Sequence, residues 1–311
     1  MSATRRILAA ACLLAFLAAP AAAGSMGGSF RLWEHGARDL ALGGAGTLLA
    51  PGAESLFTQP ASLVGMDGWE AGASLRRLGG GADLYLSSAV LGWGSGHRAP
   101  LASERTPTSL GAAAGAFQYL GATLADDTTW GEWTLAGALA WSPLRWLSVG
   151  ARGSLAGGGH DDGEDVGRAV SLSAGVRAVV LHPALEVGYV AEDIHHRFRW
   201  EDGEDRRREP AHVFAAAARL PWRVAAECLG RRRFATWERI ALGAEWDAWP
   251  GRLVLRGGLT RHGLGEARWT PSLGFGLGLG DFRLDYGAAF DGGDGPGSEH
   301  RLALLWRGGG P

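Results

Sequence analysis

The sequence predicts an all-β protein: a transmembrane antiparallel β-barrel of about 14 strands, closed on itself behind an N-terminal plug or hatch segment. Three observations predict it. Segments with period-two apolar alternation recur along most of the chain. The connections between them alternate short and long, and most of the tryptophans lie near segment ends. Composition agrees. With 51 Gly in 311 residues, a helical bundle is disfavoured, since each interior glycine costs roughly 1 kcal/mol against alanine. A hydrophobic fraction of 46% excludes a disordered chain.

Residues 1–23 read as a secretory signal peptide, cleaved on export. Arg5 and Arg6 precede an apolar run from Ile7 to Ala19, and Ala21-Ala22-Ala23 supply small residues before Gly24. Ala9-Ala10-Ala11-Cys12 loosely echoes a lipoprotein site, but too few apolar residues separate it from Arg6. After processing only Cys228 is left, so no intrachain disulfide is expected. No later stretch approaches 18 uninterrupted apolar residues. A net charge of −2 gives no reason to expect nucleic acid as a partner.

Residues 24–66 do not alternate and are expected to fill the lumen of the barrel. Gly43, Gly44 and Gly46 permit a sharp turn and close backbone approach. Gly52–Leu63 is expected to form a short helical turn broken before Pro60. A phosphate-binding loop is disfavoured, because no buried strand precedes the glycines and no Gly-Lys-Ser/Thr follows.

The barrel is expected over residues 67–307, with a short tail at 308–311. The predicted strands are 67–78, 82–93, 109–121, 131–142, 145–156, 168–181, 184–196, 210–219, 222–230, 236–247, 251–262, 269–279, 281–291 and 298–307. In Asp281–Asp291, for example, Phe282, Leu284, Tyr286, Ala288 and Phe290 alternate with Asp281, Arg283, Asp285 and Gly287. Each span is near the 9–11 residues that cross a bilayer. Short connections at Ser142-Pro143-Leu144, His182-Pro183, Leu220-Pro221, Ala248–Gly251 and Gly280 alternate with longer ones at Gly157–Gly167 and Arg197–Glu209. Tight turns on one side and longer loops on the other are a barrel signature. The long connection Gly94–Thr108 breaks that parity, as an insertion or a missed strand. Trp69, Trp93, Trp130, Trp141, Trp146, Trp222, Trp237, Trp246, Trp249, Trp269 and Trp306 are expected in interfacial girdles.

With the apolar face toward lipid, the charged positions face the lumen. They are Arg152, Arg177, Glu186, Glu192, Arg223, Glu227, Glu245, Arg256, Arg283, Asp285 and Arg301. A lipid-facing arginine at mid-membrane would cost about 2–4 kcal/mol. The mixed signs point to mutual pairing in a packed lumen, whereas an ion-selective pore would favour one sign.

The pattern Gly36-Ala37-Arg38, Leu42-Gly43-Gly44-Ala45-Gly46 and Ser55-Leu56-Phe57-Thr58-Gln59-Pro60-Ala61-Ser62-Leu63 resembles the N-terminus of the PorV/PorQ family, itself grouped with the FadL-type long-chain fatty-acid transporters. Leu185–Tyr189, Ala241–Trp246, Arg252–Gly258 and Glu299–Leu304 resemble later strands of that family. The resemblance implies a fourteen-stranded outer-membrane barrel whose hatch motif is Gly43, Gly44, Gly46, Gln59, Pro60 and Ala61. The family's Asn-Pro-Ala is here Gln59-Pro60-Ala61, which keeps an amide.

Two functions follow as expectations. One is passive transport of a hydrophobic or amphipathic small molecule past the hatch. The other, which the PorV resemblance implies, is a scaffold or shuttle for secretion-system proteins. Modest external loops, at about 5–13 residues, favour transport over protein docking. Outer-membrane lipid is the expected surroundings, and no cofactor is expected. Catalysis is not expected either: the histidines at 35, 160, 195, 196, 212, 262 and 300 show neither metal-ligand spacing nor an evident nucleophile partner.

Overall fold

The computed structural model describes residues 36–49, 51–78, 84–95, 110–123, 129–160, 167–181, 184–200, 205–234, 236–263, 269–290 and 298–308. The expected signal peptide, residues 24–35 including His35, and the charged run after His160 lie outside the described residues.

The wall begins with β1 Asp67–Leu78, β2 Leu84–Ser95, β3 Leu110–Thr123, β4 Thr129–Leu144 and β5 Leu147–His160. It continues with β6 Gly167–Leu181, β7 Leu185–Trp200, the short β8 Asp205–Arg207, β9 Ala211–Leu220 and β10 Val224–Arg233. It ends with β11 Thr236–Trp249, β12 Leu253–His262, β13 Trp269–Leu279, β14 Phe282–Phe290 and β15 Ser298–Gly308. Consecutive long strands pair antiparallel, β7 pairs with β9, and β1 pairs with β15. The fourteen long strands therefore form a closed ring, which removes unpaired sheet edges.

Alternation decides which way each strand faces. On β4, Leu135, Leu139 and Trp141 are exposed while Ala136, Ala138 and Ala140 are buried. On β15, Leu302, Leu304 and Trp306 point out while Arg301, Ala303 and Leu305 point in. Leu139 is 69% exposed, an apolar side chain with no protein neighbour to cover it. A ring of such residues around a closed sheet is the surface a bilayer covers.

The predicted strand ends shift by a few residues, and three features are corrected. Residues 197–209 are not a simple loop: β7 runs on to Trp200, and β8 folds back against it, pairing Arg197 with Arg207. Arg223 does not face the lumen. It sits exposed in a 3₁₀ turn over Pro221–Arg223, where Trp222 and Arg223 both have positive φ. Trp130 points inward against Ala156, Ala169 and Phe198, and its place on the outer face is taken by Trp133. The connection after β2 leads to its direct neighbour β3, and residues 96–109 within it lie outside the described residues.

Residues 36–66 lie within the ring. Helix α1 (Ala37–Ala41) packs against β12–β15, and a 3₁₀ helix (Pro60–Gly65) packs against β2–β6. Between them stand a glycine turn and the short α2 (Ser55–Thr58). The segment therefore crosses the barrel from wall to wall. The apolar core gathers where it meets the wall, with Ala53, Leu56, Phe57, Leu63, Val64 and Met66 against inward alanines of β3 and β4.

Candidate functional site: a filled lumen

A buried segment with little regular structure carries backbone N–H and C=O groups that need partners. The inward charges of the barrel supply them. Glu227 Oε2 accepts from Leu48 N at 2.9 Å and Leu49 N at 3.0 Å. Glu70 Oε2 accepts from Ala53 N at 2.9 Å. Arg152 donates to the carbonyls of Leu56 (3.1 Å) and Phe57, and to Ser173 Oγ. Arg301 donates to Gly36 O at 3.3 Å, Ser272 Oγ to Ala41 O at 3.1 Å, and Thr260 Oγ1 to Gly43 O.

Charge pairing ties the same elements together. Arg38 on α1 grips Glu245 of β11 with N···O distances of 2.7–3.1 Å. Glu245 contacts Arg256 at 3.4 Å, Arg256 contacts Asp285 at 2.8 Å, and Asp285 contacts Arg283 at 2.8 Å. Arg177, Glu186 and Arg219 form a separate group near the tight-turn end of β6, β7 and β9. Thus Arg152, Glu227, Glu245, Arg256 and Arg301 all reach residues 36–66 directly or through one partner. Arg177 and Glu186 pair with each other.

Two of the motif's residue types act through geometry. Gly43 and Gly44 have φ of 67° and 79°, which turn the chain back against β11 and β12. Gly46 N donates to Asp39 Oδ1 at 2.9 Å. Gln59 inserts its amide between β6 and β7. Its Nε2 donates to Val176 O at 3.1 Å and Tyr189 O at 3.3 Å, and its Oε1 accepts from Ala61 N. The Gln59 side chain thus reaches from the N-cap of the 3₁₀ helix to the wall.

Sequence reasoning missed the seats in the wall. Inward glycines Gly92, Gly150, Gly175, Gly188, Gly243, Gly258, Gly274 and Gly287 all stand where an added Cβ would strike residues 36–66. At Gly150, Gly243, Gly258 and Gly287 the atoms met are backbone, and only a strand position without a side chain lets two backbones come so close. The available signal was a glycine on the polar face of an alternating strand, as at Gly274 and Gly287.

Near the loop end the ladder between β6 and β7 is interrupted. Three residues of β7, Glu192, Asp193 and Ile194, stand opposite the single Ser173 of β6. Asp193 has φ 54°, and its carboxylate accepts from Ser171 Oγ at 2.7 Å. On the other edge, pairing of β7 with β9 stops at Glu192, and pairing with β8 starts only at Arg197. Arg233 and Arg208 approach Asp193 from that side at 3.5 and 3.8 Å. Side chains, rather than a backbone ladder, close this stretch.

Among the described residues no group of His, Cys, Asp and Glu is placed to hold a metal ion. No family model matches the sequence, and no curated protein does. Solved structures do match. The CymD monoaromatic hydrocarbon channel superposes with a TM-score of 0.62 at 13% identity, covering 91% of this chain and 100% of that one. The Ralstonia pickettii toluene transporter TbuX gives 0.62 at 10% identity, covering 90% and 100%. A Pseudomonas aeruginosa FadL homologue gives 0.57 at 10% identity, covering 87% and 98%. These neighbours fall on the FadL side of the resemblance and give the PorV/PorQ assignment no support. Over nearly its whole length, the chain has the barrel fold of those FadL-type hydrocarbon channels and transporters.

Proposed function

We propose that this chain resides in an outer membrane and passes hydrophobic small molecules across it without an energy source. The observation that carries this reading is the obstructed lumen. A barrel filled from α1 on one wall to the 3₁₀ helix on the other is no open pore for ions, and its outer face is apolar. A hydrophobic solute gains little from a water-filled channel; it needs a protected path between aqueous or headgroup layers and the apolar zone. Residues 36–66 act as the hatch, with Gly43, Gly44, Gly46, Gln59, Pro60 and Ala61 setting its turns and its seat. The stretch of β7 around Asp193, where the backbone ladder lapses on both edges, is a weak point of the wall and a second way out of the lumen. Neighbours described as monoaromatic hydrocarbon channels and toluene transporters make small aromatic hydrocarbons the first solutes to try. Secretion partners draw no support from those neighbours.

The test is uptake by intact cells of radiolabelled toluene and of a long-chain fatty acid, in a deletion strain and in the same strain complemented. The reading expects uptake of at least one solute to fall on deletion and return on complementation. Uptake equal in all strains, for both solutes, would overturn it.

A further inference from the structure

Tight turns join the strands at one end of the barrel, and one of them is built against its own backbone preference. In the turn Pro221–Arg223 between β9 and β10, Trp222 and Arg223 both adopt left-handed conformations, with φ of 59° and 62°. Two other tight turns place glycine at such a position, Gly251 with φ 69° and Gly280 with φ 65°. A side chain there costs energy that glycine avoids, and such strain gathers at functional segments. What the strain secures is display: the Trp222 indole is 85% exposed, and Arg223 is exposed beside it. The turn lies against β11, whose last residue, Trp249, carries the Arg252 guanidinium 5.0 Å over its ring. Neither guanidinium reaches a carboxylate among the described residues. Glu186 is held by Arg177 and Arg219, Asp247 lies on the inward face of β11 by alternation, and Asp281 of the next tight turn pairs with neither.

The surface next to these cations is apolar and grooved. Leu220, Val224 and Trp246 stand outward beside the turn, with Leu220 and Trp246 half exposed. One outward position further into the wall, register sets Ala218, Ala226, Ala244 and Gly257 side by side on β9 to β12. With Leu242 and Leu259 they line a shallow groove on the outer face. A Cβ on Gly257 would meet nothing closer than Leu273 at 3.6 Å, so the floor of the groove is low. Indole rings of barrels mark the boundary between hydrocarbon and headgroups. The two arginines therefore sit where the apolar band ends, at the tight-turn end, which in a bacterial barrel faces the periplasm.

We infer that this corner of the wall holds one anionic phospholipid of the periplasm-facing leaflet, its phosphate on Arg223 and Arg252 and an acyl chain along the groove. A guanidinium matches phosphate with two parallel hydrogen bonds. A free phosphate in water would leave the indoles and the groove unused. A soluble protein would meet the indoles but not the groove, which lies within the apolar band. A phospholipid uses all three at once. The inference rests on the membrane placement proposed above and not on the transport.

The experiment refolds the full protein into vesicles holding equal amounts of phosphatidylcholine and phosphatidylglycerol with matched acyl chains. After detergent extraction, the lipids retained per barrel are read by native mass spectrometry. The wild type is expected to retain phosphatidylglycerol about tenfold better, the scale of two arginines beside an anionic headgroup. R223Q/R252Q should lose that preference, R223K/R252K should keep part of it, and R261Q, at the loop end of β12, should behave as wild type. A226L, which fills the groove, should retain less of both lipids. W222G/R223G guards against a folding artefact. With the strain relieved, it should melt in plain detergent no lower than wild type while losing the preference. Equal retention of the two lipids by wild type would overturn the site, as would an unchanged preference in R223Q/R252Q, an equal loss in R261Q or full retention by A226L. Insertion is followed in the same samples by heat-dependent gel mobility. A chain that never inserts defeats the membrane placement and the lipid site together; an inserted chain indifferent to headgroup charge defeats the site alone.

Discussion

Gly257 and Gly258 are adjacent on β12, yet they face opposite ways and do different work. A Cβ on Gly257 would meet its nearest neighbour, Leu273, at 3.6 Å, ordinary contact on the lipid side. A Cβ on Gly258 would overlap the backbone of Leu42 and Gly43. Gly258→Ala is therefore expected to destabilise by about 1–3 kcal/mol, the usual cost of overpacking. Gly257→Ala is expected to stay within about 0.5 kcal/mol of wild type. Equilibrium unfolding of the refolded protein in lipid vesicles separates the two. Arg256 makes a harsher test. It stands between Glu245 and Asp285 with its side chain fully buried. Arg256→Met leaves Asp285 with Arg283 as its remaining cation and should cost about 3–5 kcal/mol in the same assay. The mixed signs in the strands signalled mutual pairing. That the charges also clamp a backbone segment was not legible, because nothing in an alternating strand names the partner a buried arginine will meet.

At the scale of elements, α2 and its neighbours show how the segment is held. Glu54, at the N-cap of α2, faces Arg38 on α1 and Asp285, Arg283 and Arg301 on the wall. Withdrawal from water, with Asp285 adding to it, raises its carboxyl to about 7 despite the three arginines. The sign follows from proton binding. Between the ordinary value of 4.5 and about 7, the seated segment keeps a proton that an unseated one releases, so seating weakens as pH rises through that window. Hydrogen exchange of residues 36–66, corrected for intrinsic rate, should therefore show stronger protection at pH 5 than at pH 8. Glu54→Gln should reduce the difference. The existence of the fourteen long strands was legible, with ends displaced by a few residues, because alternation is a direct image of a wall with two unlike faces. The bulge at Asp193 and the extra strand β8 were not, since both lie in a polar stretch where alternation carries no contrast. Arg223 was misplaced for a related reason: period-two counting was carried through a turn whose positive φ at Trp222 and Arg223 resets the phase.

For the whole molecule, closure and filling make separate claims. Filling predicts that the intact protein conducts poorly in a planar bilayer, and that deleting residues 36–63 raises conductance several-fold. An equally silent deletion that has folded, by heat-dependent gel mobility, would mean that something other than this segment blocks the lumen. Closure with an apolar exterior is the claim on which the rest depends, and the tryptophans test it without any variant. Trp69, Trp93, Trp133, Trp141, Trp222, Trp246, Trp249, Trp269 and Trp306 all stand exposed on the outside of the molecule. The decisive measurement is intrinsic fluorescence of the protein refolded into vesicles of brominated phosphatidylcholine, whose bromines quench indoles that touch lipid. The account predicts that most of the emission is lost relative to unbrominated vesicles. Emission unchanged by bromination, with the protein left in the aqueous supernatant, would contradict it.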